Sequence, residues 1–101
     1  MQRLLSDNLD KIKALCMMYN VKNLFAFGSV CTDHFNDNSD IDLIVSFNPM
    51  DYSDYADAYF ELAEKFENLF KRQVDLVTDS SLQNPYFIDS VNKTKTLLYE
   101  C

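Results

Sequence analysis

The chain has 101 residues, a length typical of one domain, and a formal net charge of −7 at neutral pH. Hydrophobic residues make up 48% of it, including six tyrosines and eight phenylalanines, and this composition excludes a wholly disordered chain. The nine lysines and arginines are scattered and form no basic patch, which argues against a stand-alone nucleic-acid binder and leaves a single globular domain over residues 1–101 as the expectation.

The first quarter of the chain predicts one helix followed by one strand. Residues 6–8 are suited to capping a helix, and apolar residues then recur at helical spacing over 9–19. Residues 20–23 form a polar break. The short apolar and aromatic run over 24–27 predicts a buried strand.

The middle of the chain alternates between polar loops and regular elements. The first half of 30–39 suits a short helix and its second half a loop, whereas 41–47 is a second strand. Apolar residues three or four apart predict an amphipathic helix over 52–70, with Lys71 and Arg72 at its end. Residues 73–78 are short and β-branched, and they predict a third strand.

The last part of the chain predicts a turn, a short helix and a final strand. Residues 80–84 are a turn, and Asn84-Pro85 is typical of a helix cap followed by the first helical residue. Phe87, Ile88 and Val91 would line that helix on one side. Residues 96–99 predict a fourth strand.

A glycine and two aspartates form the candidate site. Gly28, the only glycine, follows the first strand, and Asp40 and Asp42 enter the second strand one position apart. Alternation on a strand puts the two aspartates on one face, within reach of one divalent cation. Gly28 allows a sharp turn, and a short helix starting after Ser29 would offer free N–H groups to a phosphate. Together these features predict a site for a nucleoside triphosphate with Mg²⁺.

These residues also carry a family resemblance. Gly28-Ser29, a ten-residue gap and then Asp40-Ile41-Asp42-Leu43 resemble the signature of the DNA polymerase beta-like nucleotidyltransferase superfamily. The small size and the run Val74-Asp75-Leu76-Val77 resemble its minimal nucleotidyltransferases, the MNT or MntA-like domains. The resemblance implies an α/β (α+β) fold, with a small mixed β-sheet flanked by helices.

The resemblance also implies a reaction and a set of roles. The family transfers a nucleoside monophosphate to a hydroxyl and releases pyrophosphate. Asp40 and Asp42 would hold two Mg²⁺ ions on the triphosphate, and Asp75 would complete the metal nearer the acceptor. Gly28 and Ser29 would bind the outer phosphates. Two metal ions in such a site stabilise both the attacking and the leaving oxygen.

The resemblance further implies a partner. Many minimal nucleotidyltransferases are encoded with a HEPN-type protein, and some act as antitoxins that transfer AMP from ATP to a tyrosine of it. We therefore expect a Mg²⁺-dependent adenylyltransferase of this kind, with ATP as substrate and a HEPN-type partner.

Two other functions stay open at this stage. The family often has basic residues after the Gly-Ser pair, whereas this chain has Val30-Cys31-Thr32-Asp33, so the domain could instead be a catalytically weak module that masks its partner. Lys71, Arg72 or an arginine of a partner could supply the missing charge. A small-molecule modifier like the aminoglycoside nucleotidyltransferases is disfavoured, since those enzymes generally bring an additional substrate-binding domain.

Cysteine usage and hydropathy give the expected compartment. Cys16, Cys31 and Cys101 form no CxxC pair, which disfavours a zinc site or a disulfide framework and favours the cytoplasm. The N-terminus lacks the apolar region of a signal peptide, and no apolar run approaches ~20 residues, so we expect no association with a membrane.

Overall fold

The structure is a computed structural model that describes residues 3–32, 36, 38–79 and 83–100. Four helices and four strands follow one another along this part of the chain, with a 3-10 turn after the first strand. Their bounds are α1 (Arg3–Ser6), α2 (Leu9–Met18), β1 (Val21–Phe27), the 3-10 turn (Gly28–Cys31), β2 (Ile41–Phe47), α3 (Tyr52–Phe70), β3 (Val74–Thr78), α4 (Pro85–Thr94) and β4 (Thr96–Glu100).

The four strands form one mixed sheet in the order β3-β2-β1-β4. Strand β1 is antiparallel to both β2 and β4, whereas β3 runs parallel to β2. A parallel pair needs a crossover connection, and the long helix α3 provides it. The predicted fold class, a small mixed sheet flanked by helices, is confirmed.

The two faces of the sheet are used differently. One face carries the main core, and helices α1, α2 and α3 contribute to it. The other face carries a smaller cluster of Phe27, Ile44 and Val91, with Val77 packed against it, and this cluster lies under α4. The side chains of Asp42 and Asp75 follow the alternation of this second face. The candidate site therefore lies on this second face, beside the apolar cluster that α4 covers.

The first helix and first strand differ from their predictions. Helix α2 (Leu9–Met18) matches the helix predicted over 9–19, whereas the short helix α1 before it was not predicted. Asn8 lies at the N-cap position of α2, but its side chain accepts no capping bond, because its Nδ2 donates to the carbonyl of Leu4 (2.8 Å). Strand β1 begins at Val21, inside the predicted polar break. Val21 is buried and pairs with Phe47, while the next residue, Lys22, faces solvent, so alternation accommodates the polar residues.

The later elements follow the sequence closely. The Asn84 side chain accepts from the N–H groups of Tyr86 (2.9 Å) and Phe87 (3.4 Å), which confirms the predicted cap of α4. Strand β3 begins one residue later than predicted and β4 ends one residue later. The predicted turn at 80–84 falls in part on residues outside the described chain. No helix in the described ranges is both long and apolar enough to cross a bilayer.

Helix α3 covers the outer edge of β3. The Tyr59 hydroxyl donates to the carbonyl of Leu76, and the N–H of Val74 donates to Oε2 of Glu67 (3.2 Å). An uncovered strand edge is a template for pairing with another chain. These two side chains occupy backbone groups that would otherwise pair, and they fix α3 against the strand that carries Asp75.

Two phenylalanines on α3 test this packing as a matched pair. Phe66 is 0% exposed in the main core, whereas Phe60 is 69% exposed and contacts the ring of Tyr59 edge-to-face. We expect Phe66→Ala to lower the free energy of unfolding by about 3–5 kcal/mol, because it leaves a cavity. Phe60→Ala should cost less than about 1 kcal/mol. Urea denaturation measures both, and equal costs would contradict this placement of the core.

Candidate functional site

The sheet register brings the predicted aspartates together. Asp42 in β2 and Asp75 in β3 are Cα partners in the parallel pair, so their side chains leave the same face of neighbouring strands. Strand β2 begins at Ile41, so Asp40 lies immediately before the strand and is exposed. Asp42 is half-buried, because α4 covers the adjoining part of that face, and Asp75 is exposed.

Gly28 lies directly against Asp42. Phe27 is the antiparallel Cα partner of Asp42, and Gly28 follows it with φ +74°. A Cβ added to Gly28 would lie 2.5 Å from Oδ2 of Asp42, well inside van der Waals contact. Glycine is therefore required here on two grounds, its backbone conformation and the approach of the carboxylate. The glycine predicted for ligand approach is in fact approached by a side chain of the chain itself.

The turn after Gly28 differs from the predicted phosphate-binding helix. It is one 3-10 turn that already includes Gly28 and Ser29, because the positive φ of Gly28 starts it there. The Gly28 N–H donates to Oγ1 of Thr94 at the end of α4 (2.9 Å), and the Ser29 carbonyl accepts from the N–H (2.9 Å) and Oγ1 (3.0 Å) of Thr32. The Gly28 N–H is thus committed to the fold, and the role of Gly28 and Ser29 toward phosphates stays a prediction.

The electrostatics of the site follow from this geometry. The pKa of Asp42 is raised to about 6, first by burial and then by the negative charges of Asp75 and Asp40. The pKa of the Tyr59 phenol is also raised, by burial and then by the charges of Asp75 and Tyr55. Three like charges in one place are unfavourable without a cation. The site is therefore a centre of negative potential on the sheet face.

The donor chemistry of the site suits Mg²⁺. Hard divalent cations prefer carboxylate oxygens and bind with a few protein carboxylates plus substrate phosphates. Within residues 3–32, 36, 38–79 and 83–100, no group of three or more Asp, Glu, His or Cys side chains encloses a metal-sized site. Asp40 and Asp75 are exposed and free to rotate, whereas Asp42 is held against Gly28. The residues fit a cation that assembles its ligands around the fixed Asp42.

Two residues near the site make long-range contacts that the sequence does not reveal. Thr94 holds the glycine turn through the bond described above, although it is 66 residues away. Two basic residues were considered from sequence as sources of charge for the triphosphate. Arg72 uses Nη1 to donate to the carbonyls of Asn36 and Ser39, both at 3.0 Å, whereas the Lys71 side chain is exposed and contacts no residue of the site among the described residues. Neither partner could be found without the tertiary structure. Asp33 and His34, in the same loop, lie outside the described residues.

A cavity lies between helix α3 and the end of strand β3. It has a volume of about 520 Å³ and is lined by Met50, Tyr52, Tyr55, Tyr59 and Thr78. Tyrosines of α3 form its aromatic wall, and one of them, Tyr52, is 93% exposed. Tyr59 lines the cavity, and its hydroxyl donates to the carbonyl of Leu76, the residue after Asp75 in strand β3.

Comparisons with known proteins identify relatives of this chain. The sequence profile of the family described as "Polymerase beta, Nucleotidyltransferase" matches residues 10–101. A protein of Methanocaldococcus jannaschii, provisionally named a protein adenylyltransferase, is 36% identical over 81 residues, which are 80% of each chain.

Solved structures agree with the fold. A toxin-antitoxin structure with AMP-PNP superposes with a TM-score of 0.70 and 27% identity, covering 93% of this chain and 74% of that one. A chain provisionally named a minimal nucleotidyltransferase superposes with a TM-score of 0.66 and 26% identity, covering 91% of this chain and 90% of that one.

The contact between Gly28 and Asp42 is testable by a double-mutant cycle. Gly28→Ala should lower the free energy of unfolding by about 2–3 kcal/mol, through the positive φ and through displacement of the carboxylate. In an Asp42→Ala background only the conformational cost of about 1–2 kcal/mol should remain, because Cβ of residue 42 lies 3.7 Å away. Chemical denaturation of the four variants measures the coupling, and equal costs in both backgrounds would refute the contact.

The raised pKa of Asp42 predicts a pH-dependent stability. Its folded pKa of about 6 exceeds the ordinary 3.8, so ionisation of Asp42 destabilises the fold as pH rises from about 4 to above 6. A pKa difference of this size corresponds to about 3 kcal/mol, which solvent screening of a half-buried carboxylate reduces to about 1–2 kcal/mol. Asp42→Asn should therefore stabilise the metal-free protein by that amount above pH 7, with the gain disappearing near pH 4.

The measurement is urea denaturation over this pH range in the presence of a chelator. Asp57→Asn, which removes an exposed carboxylate on α3, is the matched control and should give a difference that does not change between pH 4 and 7. An Asp42→Asn effect that is equally independent of pH would contradict the raised pKa.

Proposed function

We propose that the chain, which belongs to the polymerase beta nucleotidyltransferase family, transfers AMP from ATP to a hydroxyl group of a partner protein. The observation that carries this proposal is the convergence of Asp40, Asp42 and Asp75 beside the Gly28 turn. Carboxylates at a glycine turn are the arrangement that a metal-bound triphosphate requires. The provisional name of the relative from Methanocaldococcus jannaschii, protein adenylyltransferase, supports the choice of reaction.

In this reaction the acceptor oxygen attacks the α-phosphorus of ATP. A bond from that oxygen to phosphorus forms, the bond from the α-phosphorus to the bridging β-oxygen breaks, and pyrophosphate leaves. Asp42, which lies against Gly28 and is ionised above a pKa of about 6, would be the central metal ligand, with Asp40 as its neighbour. Mg²⁺ ions, two in our proposal, would neutralise the triphosphate and the leaving group when bound. Asp75, exposed on the neighbouring strand, would complete the metal nearer the acceptor hydroxyl and help to remove the proton of that hydroxyl.

The acceptor in this proposal is a tyrosine of a HEPN-type protein, and the chain acts as its antitoxin. The similarity to a toxin-antitoxin structure with AMP-PNP supports both the partnership and the nucleotide. We further propose that residues 1–101 act as one domain.

A second candidate function is a masking module that binds its partner without transferring AMP. One observation favours it: Val30, the residue after Ser29, is buried, and the Gly28 N–H is bonded to Thr94, so this turn lacks the basic residues and one free N–H that would hold phosphates. In that case binding of the partner would survive the loss of all three aspartates.

Transfer of label from α-labelled ATP, with Mg²⁺, into the protein encoded beside this one tests the first proposal. Wild type should label that protein, whereas an Asp40→Asn, Asp42→Asn double variant and Asp75→Asn should reduce labelling by at least about a hundredfold. Asp57→Asn is the control for a lost carboxylate and should retain wild-type labelling. Loss of label on substituting tyrosines of the partner would identify the acceptor.

Two outcomes would contradict the catalytic proposal. Labelling that persists in the double variant would show that these aspartates do not carry the reaction. No labelling by the wild type, together with partner binding that is unaffected in a triple aspartate-to-asparagine variant, would establish the masking module instead.

A further inference from the structure

We infer that Arg72 is a positioning residue for the metal-binding carboxylates, and that it acts through the backbone of the loop before Asp40. This inference rests on the proposed function, since it assigns a role toward the same Mg²⁺-nucleotide site. Arg72 itself belongs neither to the Gly-Ser pair nor to the aspartates of the family signature.

The first step is the geometry of the loop. The N–H of Ser39 donates to the carbonyl of Asn36 (3.0 Å), and the N–H of Asn36 is bonded to Oγ of Ser39 (3.2 Å). The Asn36 side chain also accepts from the N–H of Asn38 (2.8 Å). This closed turn ends at Ser39, one residue before Asp40. The position of this turn therefore sets the backbone position of Asp40, from which the carboxylate extends.

The second step is the clamp on that turn. Nη1 of Arg72 donates to the carbonyls of Asn36 and Ser39, both at 3.0 Å, so one guanidinium nitrogen bridges the two ends of the turn. The cationic donor makes these bonds stronger than bonds between neutral groups. Arg72 lies where the chain leaves α3, because the preceding Lys71 ends this helix in the left-handed conformation with φ +57°.

The third step links the clamp to the opposite carboxylate. Gln73, the residue after Arg72, accepts at its carbonyl from the N–H of Ile41 (3.1 Å), between Asp40 and Asp42. Strand β3 begins one residue later and carries Asp75. Two consecutive residues, 72 and 73, thus bind the backbone on both sides of Asp40 and lead directly into Asp75. They hold the backbones of Asp40 and Asp75 relative to each other, so that the two exposed carboxylates can reach one shared cation.

A direct contact of Arg72 with the triphosphate makes a different prediction. A phosphate-binding arginine contributes affinity with or without metal. A positioning residue contributes only to the part of the affinity that depends on Mg²⁺, because it acts through the carboxylates. Loss of such a supporting contact typically lowers metal affinity by about 10–100-fold.

The experiment compares Arg72→Gln with Lys71→Gln, an adjacent substitution that removes the same charge from an exposed side chain with no contact to this turn among the described residues. Binding of AMP-PNP is measured by calorimetry with Mg²⁺ and with EDTA. We expect R72Q to weaken binding at least about tenfold with Mg²⁺ and less than about twofold with EDTA. K71Q should stay within about twofold of wild type in both.

Amide hydrogen exchange supplies a readout independent of binding. The Ser39 amide, held by the clamped turn, should exchange faster in R72Q and unchanged in K71Q. Should R72Q fail to fold, Arg72→Lys takes its place, since its side chain is one bond shorter and should show the same Mg²⁺-specific loss at smaller size.

Three results would overturn the inference. R72Q binding with Mg²⁺ as tightly as K71Q, or a folded R72K binding as tightly as wild type, would remove the positioning role. An equal loss with Mg²⁺ and with EDTA would assign Arg72 to the phosphates instead. If wild type showed no Mg²⁺-dependent binding, the proposed function and this inference would both be overturned. The other results overturn this inference alone, so the two failures can be distinguished.

Discussion

The close approach of the Asp42 carboxylate to the Cα of Gly28 is the constraint on which the site depends. It follows from two pairings of one residue, since Asp42 lies opposite Phe27 in one strand and beside Asp75 in another. A side chain at position 28 would occupy the space that Oδ2 now fills. The backbone turn, the buried carboxylate and the third strand therefore form one unit, and a change in one displaces the others.

One face of the sheet carries the main hydrophobic core, and the other carries the candidate site. One face is filled by apolar side chains under α1, α2 and α3, and it supplies most of the buried hydrophobic surface. The other face is covered by α4 only around Phe27, Ile44 and Val91, which leaves the aspartates at its margin. Burial raises the pKa of Asp42 and like charge raises it further, so the fold sustains an unfavourable charge cluster that a bound cation would relieve. Unfavourable local chemistry of this kind is typical of functional sites.

Much of this arrangement could be predicted from sequence, because its determinants are local. The alternation of residues 41–47 predicts β2, and the Asn84-Pro85 pair predicts the start of α4, as the structure shows. The spacing of Asp40 and Asp42 predicts that the two carboxylates lie close together, and the charge of Asp40 does raise the pKa of Asp42. Gly28 makes the predicted sharp turn, with φ +74°, but its neighbour is a carboxylate of the chain and its N–H is bonded to Thr94.

The features that sequence could not give are long-range. The bond from Gly28 to Thr94 joins residues 66 apart, and the clamp of Arg72 on the loop joins residues 36 and 33 apart. The start of β1 at Val21 was missed because polar Lys22 and Asn23 suggested a break, whereas pairing with β2 and alternating exposure keep them in the strand. Asn8 occupies the N-cap position of α2 as predicted, but its side chain makes no capping bond and donates to the carbonyl of Leu4 in α1.

Paramagnetic broadening of backbone amide signals by Mn²⁺ with AMP-PNP tests the central claim most directly, that Asp42 and its neighbours hold a metal-bound nucleotide. The account predicts that broadening is strongest for the amides around Gly28, Ile41–Leu43 and Asp75, that it needs the nucleotide for full effect, and that Asp42→Asn removes it. Broadening centred on the exposed acidic residues of α3, or unchanged broadening in Asp42→Asn, would contradict it.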